Sequence, residues 1–590
     1  MCGIVGFIGK QQASRVVLRA LTRLEYRGYD SAGVASICDG ELLLKKDVGK
    51  IVEVQSKCAL DGMPGNIAIG HVRWATHGPV TITNAHPHMD CDGNIAIVHN
   101  GIIENYQELR DQLKDDHKFV SGTDTEIVCH LIETYIRMGN PLEKAVIAAT
   151  QRLVGSYALA VISVSEPDKI VAVRKSSPLV IGIGDGEYFV ASDALSFFEE
   201  TKQVVFMEDD EVAIITPEGV DIYNKKGKRV KRKPTKVEWE WDQASKNGHD
   251  HFMFKEIIEG PEAIHNAATQ DRKHIMEVAT NILRAKQVVI TACGSSRYAA
   301  LIGRYLFSQL AGKFCDVVMA SEFQYFARSI DKDTVVIAVS QSGETADVME
   351  GVKLARAKGA KIVSIVNVPG SSLARIAHKV LYLNCGPEIC VAATKSFIAQ
   401  LVIFYMLAFA MMNELDQGIK KLKELSVGVN GGFDESNQQL KILADHLCDQ
   451  GNFYYIARGI NFAMASEGAL KLKELSYIHA EGMPAGELKH GTMALIEEGT
   501  PVVAICPNDE TYHETISNAI ETKARGAYII GVSDKHNEIY DAWVKVPDVE
   551  DVFYPLSIIL PLQLLAYHLA VKLGKDPDKP RNLAKSVTVK

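Results

Sequence analysis

The chain is 590 residues long, with 47% hydrophobic residues, 23% charged residues and a formal net charge of −9 at pH 7. This length allows three or four domains with large buried cores, and the composition is that of a soluble globular protein. The charge is mild and forms no basic stripe, so nucleic acid is not expected as a partner.

The cysteines and apolar runs favour a cytoplasmic protein. The eleven cysteines are scattered without a Cys-x-x-Cys pair, a pattern that suits reduced thiols better than a disulfide framework or a zinc site. We expect no metal site, and we expect no cofactor. No secretory signal is expected, because the apolar residues up to Ile8 give way to Lys10. The apolar run 401–412 is shorter than the ~18 residues of a membrane span, so it predicts a buried helix and no membrane partner.

The start of the chain carries a potential nucleophile. Met1 is followed by Cys2, which is small enough for ordinary methionine removal to expose it. An N-terminal cysteine has a thiol and an α-amine on one residue, so the amine can accept the thiol proton and activate the sulfur. The alternative is that Cys2 begins a buried strand, since residues 4–8 are mostly apolar.

Residues 1–240 are rich in short β-type runs, with two helical patterns near 13–24 and 125–137. Strands are expected at 67–69, 95–98, 157–164, 170–173 and 212–215. Polar motifs accompany these elements, namely Arg73-Trp74-Ala75-Thr76-His77-Gly78, Asn100-Gly101 and Gly122-Thr123-Asp124.

These motifs carry the groups needed to hydrolyse an amino-acid side-chain amide. Arginine suits a bidentate grip on a carboxylate, and aspartate accepts hydrogen bonds from an ammonium. Asparagine with a glycine N–H forms an oxyanion hole. Each piece alone also has a structural explanation, such as a turn glycine or an asparagine in the left-handed region.

The sequence pattern changes near 240–250. Residues 225–236 are basic and turn-like and residues 242–251 are polar, which predicts an interdomain linker. Beyond it, apolar strand, turn and helix alternate, as in parallel sheets with helices on both faces. The pattern occurs twice, because Gly294 and Gly359 are 65 residues apart and Gly459 and Gly526, in matching contexts, are 67 apart. Two α/β domains of one fold are therefore predicted.

The first copy contains a serine-rich loop. Ser340-Gln341-Ser342-Gly343-Glu344-Thr345 directly follows strand 335–339 and precedes a predicted helix. Hydroxyls and the backbone N–H groups of a helix N-terminus together favour an anion. Ser295 and Ser296 follow the strand 288–291, at the edge where ligands of parallel sheets collect. A helix cap alone needs one hydroxyl, so we favour a phosphate monoester site. No lysine-bearing P-loop occurs, which disfavours a nucleoside triphosphate.

The second copy lacks this loop but has charged residues on a predicted helix. Glu467, Lys471 and Glu474 are spaced by four and three residues, hence on one face. They form either a surface salt-bridge ladder or a functional cluster at the sheet edge. His490 lies in a glycine-bounded loop, where it is either simply exposed or titrates near neutral pH.

At these residues the chain resembles, over essentially its whole length, the glutamine–fructose-6-phosphate aminotransferase (isomerizing) family. Residues 2–6, 73–77 and 99–101 resemble its class II glutamine amidotransferase domain. The two halves of the remainder resemble sugar isomerase (SIS) domains. The tail 581–589 discriminates best, because lone domains of either kind would not carry both ends of the chain.

The resemblance implies an α/β and α+β multidomain architecture. It comprises an αββα N-terminal-nucleophile domain (2–240), a linker (241–250), two doubly wound parallel-sheet SIS domains (251–430 and 431–581) and a catalytic tail (582–590). The short linker lacks the insertion of eukaryotic forms that end-product nucleotide sugars inhibit, so the chain resembles the bacterial type. Two positions depart from the family pattern: Ala393 stands where serine is common, and Gly122 where a larger residue is expected.

The resemblance also implies a reaction, the conversion of L-glutamine and D-fructose 6-phosphate to D-glucosamine 6-phosphate and L-glutamate, which begins hexosamine synthesis. Cys2 would attack the amide, Trp74 would gate an ammonia channel, and Lys585 would hold the sugar as a Schiff base. Glu474 would isomerise the sugar with help from Lys471. The remaining implied contacts are Asn100 and Gly101 for the oxyanion, Arg73, Thr76, His77 and Asp124 for glutamine, and Ser295, Ser340, Gln341, Ser342, Thr345, Val391 and Ala584 for the sugar phosphate. Ser296 is added to the predicted sugar-phosphate contacts from its place beside Ser295.

The implied assembly is a homodimer in which His490 completes the neighbouring site and helps to open the sugar ring. Two alternatives remain: a sugar-phosphate sensor with a vestigial glutaminase half, and an enzyme that acts on another ketose phosphate or as a deglycase. Cys2, Glu474 and Lys585 argue against the sensor, because binding alone needs no Schiff-base lysine.

Overall fold

The computed structural model describes residues 2–237, 246–428 and 433–588. The chain forms two compact units, one of residues 1–241, 344–346 and 584–590 and the other of residues 242–343 and 347–583. Residues 241–245 of the expected linker lie outside the described residues. Residues 246–250 lie just before the first helix of the second unit, which begins at Phe252.

The elements of the first unit follow the predicted pattern of short strands with few helices. The strands are β1 (Gly3–Ile8), β2 (Ser31–Cys38), β3 (Glu41–Val48), β4 (Ile67–Arg73), β5 (His88–Met89), β6 (Ile95–Ile103), β7 (Gly155–Ser163), β8 (Glu166–Lys175), β9 (Val180–Ile183), β10 (Tyr188–Ala191), β11 (Gln203–Phe206), β12 (Glu211–Thr216), β13 (Gly219–Tyr223), β14 (Arg229–Val230) and β15 (Thr235–Lys236). The helices are α1 (Ala13–Arg23), α2 (Ile51–Cys58), α3 (Tyr106–Leu113), α4 (Thr125–Arg137) and α5 (Leu142–Thr150).

One local expectation was wrong. Residues 225–236, predicted as turn-like, contain β14 and β15, which are edge strands of two different sheets. Each spans only two residues, too few for an alternating apolar pattern to be visible in the sequence.

The first unit is a four-layer αββα sandwich, as expected. Its eight-stranded sheet has the order β15-β11-β9-β10-β1-β4-β2-β3 and its seven-stranded sheet the order β14-β13-β12-β8-β7-β6-β5. Ile4 and Ile69 of one sheet and Val98 and Ala160 of the other belong to one buried cluster between them. Helices α1 and α2 pack on the first sheet, and α4 and α5 on the second. This stacking brings β1 and β4 close to β6. Cys2 precedes β1, Arg73 ends β4 and Asn100 lies in β6, so the motifs predicted for amide hydrolysis lie near one another.

The rest of the chain alternates strands and helices. The strands are β16 (Gln287–Ala292), β17 (Asp316–Met319), β18 (Thr334–Val339), β19 (Lys361–Val366), β20 (Lys379–Tyr382), β21 (Asn452–Ala457), β22 (His479–Pro484), β23 (Pro501–Ile505), β24 (Tyr528–Ser533) and β25 (Ala542–Lys545). The helices are α6 (Phe252–Ile258), α7 (Gly260–Ala267), α8 (Arg272–Arg284), α9 (Gly294–Ala311), α10 (Phe323–Phe326), α11 (Ala346–Ala357), α12 (Ser372–Ile376), α13 (Lys395–Met411), α14 (Leu415–Gly428), α15 (Phe433–Leu447), α16 (Asn461–Ser476), α17 (Tyr512–Lys523) and α18 (Tyr554–Lys572).

The predicted repeat is confirmed by the sheet topology. The two five-stranded parallel sheets have the orders β17-β16-β18-β19-β20 and β22-β21-β23-β24-β25, so both place their strands in the order second, first, third, fourth, fifth. In such a sheet, ligands bind in a crevice at the carboxyl ends of the first and third strands. The crevice forms there because the connections from these two neighbouring strands run toward opposite edges of the sheet. In the first sheet these are β16, followed by Ser295 and Ser296, and β18, followed by Ser340.

Two apolar helices, α13 and α18, contribute many buried residues to the core of the second unit. Helix α13 contains residues 401–411 of the predicted buried run, and every residue of this helix is buried. Within the described ranges, one helical stretch, 551–572, is long and apolar enough to cross a membrane by length and composition alone. Because 89% of its most apolar window is buried inside the structure, it has the burial of a core helix.

Candidate active site

The Cys2 thiol is held by the backbone of Trp74. Cys2 immediately precedes β1, and Trp74 immediately follows the neighbouring strand β4. The Trp74 N–H donates to Cys2 Sγ at 3.2 Å, and the thiol donates to the Trp74 carbonyl oxygen at 3.3 Å. Burial raises the pKa of the Cys2 thiol, and the Trp74 N–H and Arg73 only partly oppose it. The thiol is therefore protonated at neutral pH and needs a base to become a nucleophile.

Asn100 is fixed beside Cys2 by a polar network. Its Nδ2 donates to the Cys2 carbonyl oxygen at 3.0 Å and to Ser192 Oγ at 2.8 Å. His71 Nε2 lies 3.0 Å from Asn100 Oδ1 and 3.0 Å from the His99 carbonyl oxygen. A carbonyl oxygen only accepts, so His71 Nε2 carries the proton. Burial lowers the pKa of His71 to about 3, so this histidine is a neutral donor that orients Asn100.

Gly101 lies where only glycine fits. Its φ is +123°, and a Cβ there would lie 2.0 Å from the Ser156 carbonyl oxygen. The backbone of β6 therefore approaches β7 closely at the residue next to Asn100. Asn100 and Gly101 were predicted from the sequence, whereas His71 and Ser192 were not, because they lie far from Asn100 along the chain.

Arg73 supports the loop that follows β4. Its guanidinium donates to the carbonyl oxygens of His77, Gly78 and Pro79. Burial lowers the pKa of Arg73, while the nearby Cys2 and Asp124 oppose that shift. Arg73, which the family resemblance assigns to glutamine binding, thus holds the backbone of this loop in place.

The other expected glutamine contacts are distributed around this loop. Thr76 is exposed, and the half-buried His77 ring packs edge-on against Tyr106 at 5.4 Å. Asp124 is buried, and its Oδ2 accepts the Ile103 N–H at 2.8 Å. The Trp74 ring meets the Tyr29 ring edge-on at 5.6 Å.

The serine-rich loop forms a tight turn after β18. Ser340 Oγ accepts the Gly343 N–H at 3.1 Å, and the Gln341 carbonyl oxygen accepts the Asn367 N–H at 2.9 Å. Gly343 has φ +65°, and a Cβ there would lie 2.2 Å from Ser371 Oγ. The turn places Ser342 between Ser340 and the N-terminus of α11, which Thr345 immediately precedes.

The other predicted sugar contacts have partners within the second unit. Ser296 Oγ accepts from Gln400 Nε2 at 3.0 Å, so this hydroxyl is bonded to helix α13. The Val391 N–H donates to the Asp578 carbonyl oxygen at 3.2 Å. Ser295 donates to Glu467 Oε1 at 2.9 Å, which joins helix α9 of the first repeat to α16 of the second.

The predicted charged triplet on α16 is a buried cluster and not a surface ladder. Lys471 Nζ lies 2.6 Å from Glu474 Oε2 and 3.5 Å from Glu467 Oε1. Burial raises the pKa of Glu467 to about 7. Burial disfavours the Lys471 ammonium, but Glu474 and Glu467 outweigh it and raise the pKa of Lys471. A charged lysine beside the partly exposed Glu474 can stabilise negative charge while the carboxylate exchanges a proton.

The remaining predicted site residues, His490, Ala584 and Lys585, lie in two other segments of the chain. His490 ends a short 3₁₀ helix and is exposed, without a side-chain hydrogen bond or ion pair to another described residue. Ala584 and the half-buried Lys585 lie in the tail segment, where the Ala346 N–H donates to the Val587 carbonyl oxygen at 2.9 Å.

Comparison with known proteins agrees with an N-terminal amidotransferase part that is followed by two SIS repeats. A glutamine amidotransferase domain model matches residues 71–199, and an SIS domain model matches residues 281–410 and 446–573. The chain is 48% identical to glutamine–fructose-6-phosphate aminotransferase (isomerizing) of Thermococcus kodakarensis and 46% identical to that of Pyrococcus horikoshii, covering 100% of both chains in each case.

A solved structure matches the second part of the chain. It is the C-terminal domain of glucosamine-fructose-6-phosphate aminotransferase from Francisella tularensis, with 34% identity and a TM-score of 0.53. The match covers 57% of this chain and 99% of that chain. With the full-length relatives, it shows that the chain belongs to the glutamine–fructose-6-phosphate aminotransferase (isomerizing) family.

Proposed function

We propose that this chain converts D-fructose 6-phosphate and L-glutamine to D-glucosamine 6-phosphate and L-glutamate. The observation that carries the proposal is the Cys2 thiol held between the N–H and carbonyl groups of Trp74, with Asn100 bonded to the carbonyl of Cys2 itself. A thiol nucleophile beside a fixed amide donor is the equipment of amide hydrolysis. The SIS repeats supply the place where the released ammonia is used.

In the first half-reaction, the α-amine of a processed Cys2 accepts the thiol proton, and the sulfur attacks the glutamine side-chain amide. Asn100 and the Gly101 N–H stabilise the oxyanion, and ammonia leaves as the thioester forms. Water then hydrolyses the thioester to glutamate. Arg73, Thr76, His77 and Asp124 bind the α-carboxylate and α-ammonium of glutamine in this proposal.

In the second half-reaction, Ser340, Gln341, Ser342 and Thr345 bind the phosphate, with Ser295, Ser296, Val391 and Ala584 around the sugar. The Lys585 amine condenses with the C2 carbonyl to an imine and releases water. Ammonia displaces Lys585 from this imine, and Glu474 then moves a proton from C1 to C2, which yields the 2-amino aldose. The Lys471 ammonium, with its Nζ 2.6 Å from Glu474 Oε2, forms an ion pair with the carboxylate that accepts that proton.

Ammonia must travel between the two reactions as the neutral amine, because ammonium is not nucleophilic. A passage that excludes water preserves the reactive form, and we assign its gate to Trp74. We further propose a cytoplasmic homodimer, in which His490 of the partner subunit helps to open the sugar ring. The domain boundaries proposed are 2–240, 251–430 and 431–581, followed by the tail 582–590.

The test is incubation of the full chain with glutamine and fructose 6-phosphate, followed by an assay for hexosamine phosphate. The expected result is glucosamine 6-phosphate and glutamate in equal amounts. Glutamate formation without an amino sugar would reject the proposal in favour of another acceptor. Reversible sugar-phosphate binding with neither activity would instead identify a sensor.

A further inference from the structure

A second polar cluster lies in the first unit, and it includes none of the residues assigned to either reaction. It consists of Cys91, His117, His130 and Glu133, whose donor atoms lie within 4.8 Å of one another. The histidines and the glutamate are buried, whereas Cys91 is exposed. A thiol, two imidazoles and a carboxylate are all metal-ligand types, and they converge on one point.

The four residues come from three separate segments. Cys91 lies in the turn between β5 and β6, and His117 lies after α3. His130 and Glu133 are three residues apart on α4 and therefore share one face of that helix. A bound ion would join all three segments.

The distances between the donor atoms suit a tetrahedral ion. Cys91 Sγ is 3.8 Å from His117 Nδ1 and 3.7 Å from His130 Nδ1. Glu133 Oε2 is 2.9 Å from each of these two nitrogens. Tetrahedral zinc with ordinary Zn–S, Zn–N and Zn–O bonds has ligand–ligand distances of about 3.3–3.6 Å. Small side-chain shifts would therefore complete the site.

The surrounding hydrogen bonds set the tautomer of His117. The Thr134 hydroxyl donates its one proton to the His130 carbonyl oxygen at 2.9 Å. His117 Nε2, 2.9 Å from the same hydroxyl oxygen, must therefore be the donor to it. In a neutral imidazole this leaves the Nδ1 lone pair facing the Glu133 carboxylate, an arrangement that requires a proton or a cation between them.

His130 is flanked by carboxylates on both sides of its ring. Its Nδ1 is 2.9 Å from Glu133 Oε2, and its Nε2 is 3.7 Å from Glu126 Oε1. A metal-ligating histidine commonly has a carboxylate behind its other ring nitrogen, and Glu126 lies on that side of the His130 ring, 3.7 Å away and beyond hydrogen-bond distance. The Lys118 N–H donates to Cys91 Sγ at 3.3 Å, which stabilises a thiolate.

We propose that Cys91, His117, His130 and Glu133 bind one zinc ion as a closed structural site. One thiolate and one carboxylate balance the charge of the ion, and four protein ligands leave no open position for catalysis. The thiol proton is released to solvent when zinc binds. The ion fixes the turn before β6, which carries Asn100 and Gly101, and the helix α4, which Asp124 precedes. This differs from the expectation that the chain binds no metal.

The experiment measures zinc in the untagged full chain by elemental mass spectrometry, after dialysis against a metal-free buffer. We expect one zinc per chain in the wild type, and at least about a tenfold weaker retention in Cys91→Ser and His117→Ala. Cys38→Ser, a half-exposed cysteine outside the cluster, should retain zinc, as should Cys2→Ala. Replacing zinc by cobalt should produce a thiolate-to-cobalt charge-transfer band that Cys91→Ser lacks.

Thermal unfolding gives a readout that does not depend on activity. A strong chelator should lower the Tm of the wild type and of Cys38→Ser, and should leave the Tm of Cys91→Ser unchanged. A wild-type chain that neither contains zinc nor gains stability from added zinc would overturn the proposal. The cluster would then be an imidazolium–carboxylate network. Zinc that is lost in Cys2→Ala but kept in Cys91→Ser would also overturn it.

Discussion

The Ser295 hydroxyl donates a hydrogen bond to Glu467 Oε1 at 2.9 Å, and that same oxygen lies 3.5 Å from Lys471 Nζ. A residue at the strand end of the first SIS repeat is thereby bonded to the charged helix of the second. Ser295, Glu467 and Lys471 are thus parts of one buried polar network within the second unit.

Glu467 gives this network a pH dependence. Burial raises its pKa to about 7, above the ordinary 4.5. The folded state therefore binds the proton more tightly, so this contribution to stability is full below about pH 4.5 and is lost as the pH rises through about 7. We expect Glu467→Gln to reduce the fall in the urea unfolding midpoint of the second unit between pH 5 and pH 7.5. Glu424→Gln, on an exposed side chain, is the control and should keep the wild-type fall. If the urea midpoint of Glu467→Gln fell as much as that of the wild type, Glu467 would not be the source of this pH dependence.

Cys2→Ala separates the two half-reactions. Without the thiol no thioester forms, so glutamine hydrolysis should fall on the order of 10⁴-fold or more, while the isomerisation of the phosphosugar remains. Glutaminase and isomerase assays on one preparation measure both, with Cys448→Ala as a control outside the site. Equal loss of both activities would argue against two separate sites.

Lys585→Ala should have the opposite effect. Removing the amine prevents the imine with the ketose, so synthesis of the amino sugar should stop while glutamine still binds. Borohydride reduction in the presence of fructose 6-phosphate should attach the sugar to the wild-type chain and not to the variant. Lys358→Ala, an exposed lysine, should behave as the wild type. Continued synthesis by Lys585→Ala would exclude the Schiff base at this residue.

Gly101→Ala tests the oxyanion hole. A Cβ at Gly101 would lie 2.0 Å from the Ser156 carbonyl oxygen, so the β6 backbone must shift and move the N–H that is assigned to the oxyanion. We expect glutaminase kcat to fall by about 10²-fold or more, together with a lower Tm. Gly139→Ala is the matched control, because its φ is also positive at +86° but nothing lies within 4 Å of its Cβ. That variant should lose about 1–2 kcal/mol of stability and no activity. A Gly101→Ala enzyme with normal kcat would remove Gly101 from the mechanism.

Much of the architecture was predictable because its sequence signals are local. Helix α4 begins and ends at the predicted residues, and the glycines at the strand ends marked both copies of the SIS repeat. The motifs around Asn100 and Ser340 were recognisable because each follows an apolar strand directly. Strands β14 and β15 were missed because two residues carry no periodicity.

The rest of the site depends on tertiary contacts that no local pattern encodes. His71 reaches Asn100 across 29 residues, and Ser192 reaches it across 92. The ligands of the proposed zinc site are likewise dispersed, since His117 follows Cys91 by 26 residues. The stacking of β4 against β6 brings His71 to Asn100, and the packing of α4 on β6 brings together residues of the proposed zinc site.

The most direct test of the proposed reaction traces the amide nitrogen of glutamine into the amino sugar. The full chain is given fructose 6-phosphate and glutamine with an isotopically labelled amide nitrogen, in a buffer containing excess unlabelled ammonium. We predict glucosamine 6-phosphate that carries the label on its amino group, because in the proposed reaction ammonia passes from Cys2 to the sugar without mixing with solvent. Unlabelled amino sugar, or glutamate without any amino sugar, would contradict it.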